Sequence, residues 1–298
     1  EFFYAYLDLY GGTTQQAFLI YSTGTDQVGD VGQPLPIPLE VLAQDASSAP
    51  VSGVAVGFAI SSGPAGALLS VSSTATLGNG KASAVFTLGS IPLEYEVRAT
   101  CSSCTAASNT VLFRACGKLP NDDFEQFDPR WSATTYDNTT QTMGAEGCAV
   151  SALAALNNFY RNTVSTAIPA LDPDTLNRSL IGLGGRGYQP VGRLNWTGLT
   201  RLSGNTINFI ELRDVDTAST IQDLISATDG DLARGRPVVI RVQRRRDNGT
   251  FGPHFVLAVG KCRGEYIIAD PGSGTRVQFD PNDTNFELTG IRRFAPAL

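Results

Sequence analysis

The chain holds five cysteines and a single histidine, and these few side chains limit the nucleophilic chemistry it could do. Cys148 stands in "MGAEGCAVSALAALNNF", between a glycine and an alanine, where an amphipathic helical pattern begins. A cysteine that only fills space can sit anywhere on a helix. One in the first turn sits at the positive end of the helix dipole, which favours the thiolate. A thiol nucleophile needs a base within hydrogen-bond reach, and the base needs an orienting partner. His254 is the one imidazole available, and it opens the alternating run "HFVLAVG", in which Phe255, Leu257 and Val259 can face a core. The next run, "EYIIAD", ends in Asp270 and follows a turn around "KCRG". If the two runs pair so that partner numbers total 524, His254 and Asp270 face each other. A total of 525 puts them on opposite faces, and the sequence leaves the register open.

The elements that must position these residues fall into two rhythms. Residues 24–117 are short period-2 runs, among them "IPLEVLAQD", "VSGVAVGFAIS", "GKASAVFTL", "EYEVRAT" and "NTVLFRA", separated by Gly, Pro, Asn and Ser clusters. Strands so spaced predict an antiparallel sandwich. After "RACGKLP" the pattern changes. Residues 118–145 are irregular and rich in Asp, Asn and Thr, and a helix is predicted from about Cys148 to Arg161. Its apolar stripe is Ala149, Val150, Leu153, Leu156, Phe159 and Tyr160. "DPDTLNRSLI" and "STIQDLISATDGDLARG" read as two more helices, the second ended by Gly235. Strands then return in "PVVIRVQ", "HFVLAVG", "EYIIAD", "TRVQF" and "IRRFA". A leading helix packed on a later sheet makes residues 118–298 an α+β domain.

Composition narrows the function classes. The net charge is −6, which argues against nucleic acid as a partner, and the basic run "RVQRRRDNG" reads as a solvated hairpin. One histidine excludes HExxH metallopeptidases and most zinc sites, so no metal and no cofactor are expected. No run of about 18 apolar residues predicts a membrane-spanning helix. There is no signal-peptide pattern, and the chain starts without Met, as a mature or truncated one would. Abundant Thr, Ser and Gly with few lysines lean towards an extracellular protein. An odd cysteine count leaves at least one free or paired to another chain. Cys101 and Cys104 flank "SS" at a turn and can close a small ring, which leaves Cys116 and Cys262 open to an inter-domain bridge. "GLGGRGYQP" lacks the GK[ST] ending of a phosphate loop and reads as a loop flanking a groove. Trp131 and Trp196 read first as core, with the groove wall as the alternative. "DPDT" and "DPNDT" lack the spacing of a calcium loop.

Two resemblances extend this reading. "GDVGQPLPIPLEVLAQD", "APVSGVAVGFAIS" and "TATLGNGKASAVFTLG" resemble the bacterial Ig-like domains of invasin and intimin-type surface proteins over nearly all of 24–117. That family implies a spacer or display module without catalytic residues. "EQFDPRWSATTYDNTTQTMGAEGCAVSALAALNNF", "GRPVVIRVQ", "GPHFVLAVG" and "YIIADPGSG" resemble the C39-like relatives of the bacteriocin-leader peptidases, over about 119–285. This implies a papain-like cysteine peptidase domain, with Cys148 as nucleophile, His254 as general base and Asp270 as its orienter. Gln126 would be the side-chain donor of the oxyanion hole. It lies 22 positions ahead of the cysteine (126 against 148), further than in the leader-processing members. The fold expected is therefore an all-β Ig-like sandwich followed by an α+β papain-like domain.

Residues 1–23, laid on 94–116 at a constant offset of 93, match in kind, with "QAFLI" on "NTVLF". They read as the last two strands of a preceding Ig-like repeat, whose open edges could join subunits head to tail in a homo-oligomer or filament. The function expected is a secreted or cell-surface cysteine peptidase acting on a peptide or protein substrate. The alternative is a structural or adhesive subunit of a surface assembly. A third reading is another acyl transfer, such as transpeptidation or cell-wall amide hydrolysis, by the same residues.

Overall fold

The computed structural model describes residues 17–105, 109–190, 192–215, 219–245, 249–272 and 277–297. The chain divides into two compact units, unit 1 reaching to Gly117 and unit 2 running from Lys118, with Ile91–Leu93 counted in the second.

Unit 1 is built from β1 (Phe18–Thr23), β2 (Gln27–Asp30), β3 (Leu39–Gln44), β4 (Ala55–Ser62), β5 (Leu68–Leu69), β6 (Ser73–Ala75), β7 (Lys81–Ala84), β8 (Phe86–Thr87), β9 (Glu94–Thr100) and β10 (Thr110–Lys118). One sheet has the order β1-β3-β7, and the facing strands run β10-β9-β4-β6 with β2 on β10. The first strand thus changes sheet between β1 and β2, and the arrangement is an immunoglobulin-like sandwich. Alternation fills its core. Leu39, Val41 and Ala43 of β3 point inward, as do Tyr95, Val97 and Ala99 of β9, and Val111, Phe113 and Ala115 of β10. A fully buried Val, Leu or Phe stabilises by about 1.5–3 kcal/mol.

The reading of the N-terminal strands as part of a preceding repeat is corrected here. Most of that segment, residues 1–16, lies outside the described residues. Phe18–Thr23, however, pairs antiparallel with β3, from Phe18↔Gln44 to Thr23↔Glu40. Ala17 and Leu19 enter the same core as β3 and β9. Burial of these side chains and the ladder with β3 tie the strand to this sandwich as the edge strand of its three-stranded sheet, so residues 18–23 belong to this domain and not to a missing repeat.

Unit 2 carries α1 (Met143–Glu146), α2 (Cys148–Thr163), α3 (Pro173–Gly182), β11 (Tyr188–Gln189), β12 (Arg193–Leu194), α4 (Thr197–Leu202), β13 (Ile207–Asp214), α5 (Ile221–Leu232), β14 (Val238–Arg245), β15 (Phe251–Cys262), β16 (Glu265–Ala269), β17 (Gln278–Phe279) and β18 (Phe286–Pro296). The larger strands form an antiparallel sheet of order β13-β18-β14-β15-β16-β17. Asp172 caps α3 ahead of a first-turn proline, and Thr220 with Asp223 makes a capping box on α5; both caps satisfy otherwise orphaned N–H groups. α2 is buried nearly all round, not along one stripe. It packs on β15, while Ile221 and Ile225 of α5 pack on the cluster that includes Val256 and Ala258. Val256, Leu257, Ala258 and Val259 are therefore all buried, and the simple alternation expected for "HFVLAVG" gives way to a strand covered on both faces.

Cys101 and Cys104 form a disulfide at the turn between β9 and β10. Cys116 and Cys262 are each disulfide-bonded as well, and Cys148 is the free thiol. No helix among the described residues is long and apolar enough to cross a membrane.

Candidate functional site

Cys148 is the first residue of α2, a position that leaves its N–H among the four first-turn donors with no helical acceptor. Gly147 precedes it for a steric reason: a Cβ there would stand 2.3 Å from the Met143 carbonyl oxygen. The chain can make the tight passage from α1 into α2 only with glycine, and this sets the half-buried Cys148 at the start of a helix whose residues 149–157 are all buried.

His254 does not open its strand. β15 starts three residues earlier, at Phe251, and His254 lies opposite Val242 of β14. The register with β16 is neither of the two considered. Cys262↔Glu265 and Gly260↔Ile267 total 527, but beyond Val259, which has no partner, Ala258↔Ile268 and Leu257↔Ala269 total 526. The bulge changes the parity. With an odd total, Asp270 would face away from His254. With 526 it shares the face of His254, one diagonal step along, and His254 Nε2 meets Asp270 Oδ1 at 2.6 Å. The backbone N–H of Gly272 donates to the same oxygen at 2.7 Å. Continued past Ala269, this register brings Gly272 opposite His254. A Cβ on Gly272 would stand 2.8 Å from His254 Cε1 and 2.8 Å from Arg244 Nη1, so glycine is needed for the imidazole to lie where it does.

The electrostatics follow from this geometry. Burial alone would push the His254 imidazole down, but the hydrogen bond to Asp270 and the neighbouring Cys148 sulfur outweigh it and raise His254 to about 9. For Asp270, burial pushes upward; the His254 hydrogen bond and charge, the Gly272 N–H and Arg244 hold the carboxyl below its ordinary value. Since Nε2 is taken by Asp270, Nδ1 is the ring nitrogen left for Cys148.

Gln126 reaches the same place despite its distance in sequence. Its backbone N–H donates to the Pro271 carbonyl at 2.8 Å, and its Nε2 donates to the Gly144 carbonyl at 2.7 Å. The long loop between Gln126 and α1 is anchored by Trp131, buried at 1% exposure, whose Nε1 donates to the Glu125 carbonyl at 2.8 Å. Because Gly144 offers only an acceptor, the amide nitrogen must face it, and the second Nε2–H remains. Gln126, Cys148, His254, Arg244 and Gly272 line one cavity of about 500 Å³. A second cavity, of about 790 Å³, opens on the other side of Cys148 between α4, β13 and β14. The structure thus brings all four sequence-predicted site residues together. It divides the tryptophans, with Trp131 in the core and Trp196 on the wall of the second cavity. Gln189, Gly192 and Arg193, at and beyond the end of "GLGGRGYQP", line that wall as well. Gly272 and Arg244 were not singled out from the sequence. The glycine's signal was present in "ADPGSG", where it reads as an ordinary turn former. Among the described residues no group of three metal-ligating side chains gathers.

No protein-family model and no curated protein matches the chain. Solved structures do. The D0-D1 domain of intimin is 19% identical, with a TM-score of 0.28, covering 35% of this chain and 51% of that one. The Yersinia pseudotuberculosis adhesin InvE is 16% identical, with a TM-score of 0.29, covering 36% of this chain and 34% of that one. The Escherichia coli adhesin FdeC is 18% identical, with a TM-score of 0.27, covering 38% and 33%. The chain spans about half or less of the length of these structures. They correct one expectation. The neighbours are adhesin domains and not peptidases, so the expectation of a papain-like cysteine peptidase, a hydrolase, finds no support in them.

Proposed function

We propose that the chain is a cell-surface protein in which the Ig-like unit accompanies a unit that carries out thiol-dependent acyl transfer. The observation that supports this best is the 2.6 Å contact of His254 Nε2 with Asp270, in a cleft shared with Cys148 and Gln126. In this reading His254 Nδ1 takes the Cys148 proton, and the thiolate attacks the carbonyl carbon of an acyl compound. The oxyanion that forms is met by the second Nε2–H of Gln126 and the N–H of Cys148, donors typically worth about 3–4 kcal/mol each. As the carbonyl re-forms, the leaving group departs with the proton from His254. The Cys148 thioester then passes its acyl group to water or an amine, which His254 deprotonates. Asp270 holds the imidazole and supports its positive charge. Two disulfides per chain fit an oxidising, extracytoplasmic setting.

The test is the second-order rate of Cys148 alkylation by iodoacetamide at pH 7, followed by mass mapping. The expected rate exceeds that of glutathione at least tenfold and drops towards it in His254→Ala. Alkylation no faster than glutathione, unaltered by His254→Ala, removes the acyl-transfer reading. A second reading, a structural or adhesive subunit, draws on unit 1, whose sandwich has a core of its own and exposes Tyr21 at 46% and Leu112 at 38%. Cell attachment or self-association that survives unchanged in Cys148→Ala would favour it.

A further inference from the structure

The second cavity beside Cys148 has an unusual charge arrangement. Arg292 of β18 is 4% exposed, and its guanidinium lies 5.4 Å from the Trp196 ring centroid and 5.7 Å from that of Phe255. Its Nη1 donates to Asp214 Oδ1 at 2.8 Å. Gly290 makes room for that carboxylate, since a Cβ there would stand 1.9 Å from Asp214 Oδ1. Arg292 Nε is buried without a partner. A second guanidinium, that of half-buried Arg241 on β14, lines the same cavity and is close enough to repel Arg292. Arg241 lies between Phe255 on β15 and Gly290 on β18.

Asp214 balances one of the two arginines, and among the described residues no carboxylate forms an ion pair with Arg241. Glu146 also lines the cavity, at the end where Cys148 stands, and Arg193 lines it from the loop side. Two like charges held together cost free energy, and an anion entering between them recovers it. The adjacent walls are aromatic, from Trp196 and Phe255, and suit a short alkyl arm.

Resting on the acyl-transfer reading, we infer that this cavity receives a carboxylate-bearing side chain of the acyl substrate, with Arg241 as its counter-ion and the Trp196 and Phe255 rings against its methylenes. Arg292 is then a positioning residue, which holds Asp214 and the aromatic walls and keeps Asp214 from neutralising Arg241. A guanidinium–carboxylate pair in a partly desolvated cavity discriminates strongly against the uncharged isostere.

The experiment uses two acyloxymethyl ketones that differ only in charge, built on N-acetylglutamate and N-acetylglutamine. The second-order rate of Cys148 modification is measured for each. The glutamyl probe is expected to react at least tenfold faster than the glutaminyl one. That ratio should fall to about one in Arg241→Met and recover in part in Arg241→Lys. Equal rates in the native chain, or a preference that persists in Arg241→Met, overturn the proposal. Failure of the underlying chemistry is recognised separately, by an iodoacetamide rate no greater than that of glutathione. The cavity is then tested by NMR titration of Cys148→Ala with N-acetylglutamate methylamide and N-acetylglutamine methylamide. Tighter binding of the anion, lost in Cys148→Ala/Arg241→Met, supports the inference, and equal binding of the two overturns it.

Discussion

At His254 the pairing with Asp270 has a thermodynamic consequence that can be read without any substrate. The folded imidazole holds its proton to about pH 9, whereas a histidine in an unfolded chain releases it near pH 6.5. The pairing therefore stabilises fully below about pH 6.5, and the contribution is lost as the pH rises through about 9. The sign is opposite for Asp270, whose carboxyl is held low: its contribution is present above the ordinary carboxylate value and disappears as the pH falls through the lowered one. At 1.36 kcal/mol per pH unit, the alkaline loss amounts to roughly 3 kcal/mol. Both tryptophans, Trp131 and Trp196, lie in unit 2, so urea unfolding followed by tryptophan fluorescence reports on this unit alone. The urea midpoint should be lower at pH 9.5 than at pH 6, and Asp270→Asn should remove a clear part of that difference, the rest belonging to Cys148. A midpoint equally pH-dependent in Asp270→Asn would show that other groups govern it.

Among the elements, the bulge at Val259 decides whether the pair exists at all. Residue types pointed to Cys148, His254 and Asp270, because one histidine and one cysteine at a helix start left few choices, and the family resemblance added Gln126. Which face Asp270 occupies was not legible. A bulge depends on the packing of β15 between β14, β16 and the helices, and nothing local in "HFVLAVGKCRGEYIIAD" marks it. β13 was missed for a related reason. Its ladder with β18 shifts between Phe209 and Glu211, and Ile210 and Leu212 are 52% and 49% exposed, so "INFIELRD" shows no clean alternation. The long helix was legible because it is a run rich in Ala and Leu that starts after a glycine, although its near-complete burial was not. Gly272 supplies an element-scale prediction. In Gly272→Ala the new Cβ would meet the imidazole and Arg244, and the His254 ring must turn out of line. The far-ultraviolet circular dichroism should be unchanged, while the iodoacetamide rate at Cys148 falls at least tenfold. An unaltered rate would mean the ring has room to move without losing Asp270.

Across the whole molecule, the cysteines are apportioned by role. Four of the five are in disulfides, and the remaining thiol is Cys148. Cys101, Cys116 and Cys262 are also buried, at 1%, 3% and 8% exposure, so even reduced they would be slow to meet a reagent. A nucleophilic thiol in an oxidising setting needs this separation, because any other free thiol could exchange with it. The thiol titre in non-reducing guanidinium should accordingly be one per chain, rising to five after reduction. A titre of three would refute the second disulfide and weaken the extracytoplasmic assignment with it. The Cys101–Cys104 ring spans a sequence separation of only 3, and chain-entropy reasoning assigns so short a loop about 2 kcal/mol. Cys101→Ser/Cys104→Ser should therefore destabilise unit 1 by roughly that amount, followed by circular dichroism since the unit holds no tryptophan. Unit 1 has its own core, and the site residues all belong to unit 2. The loss should consequently leave the iodoacetamide rate at Cys148 within twofold of the native value. A larger change would reveal that the chemistry of unit 2 depends on the integrity of the sandwich.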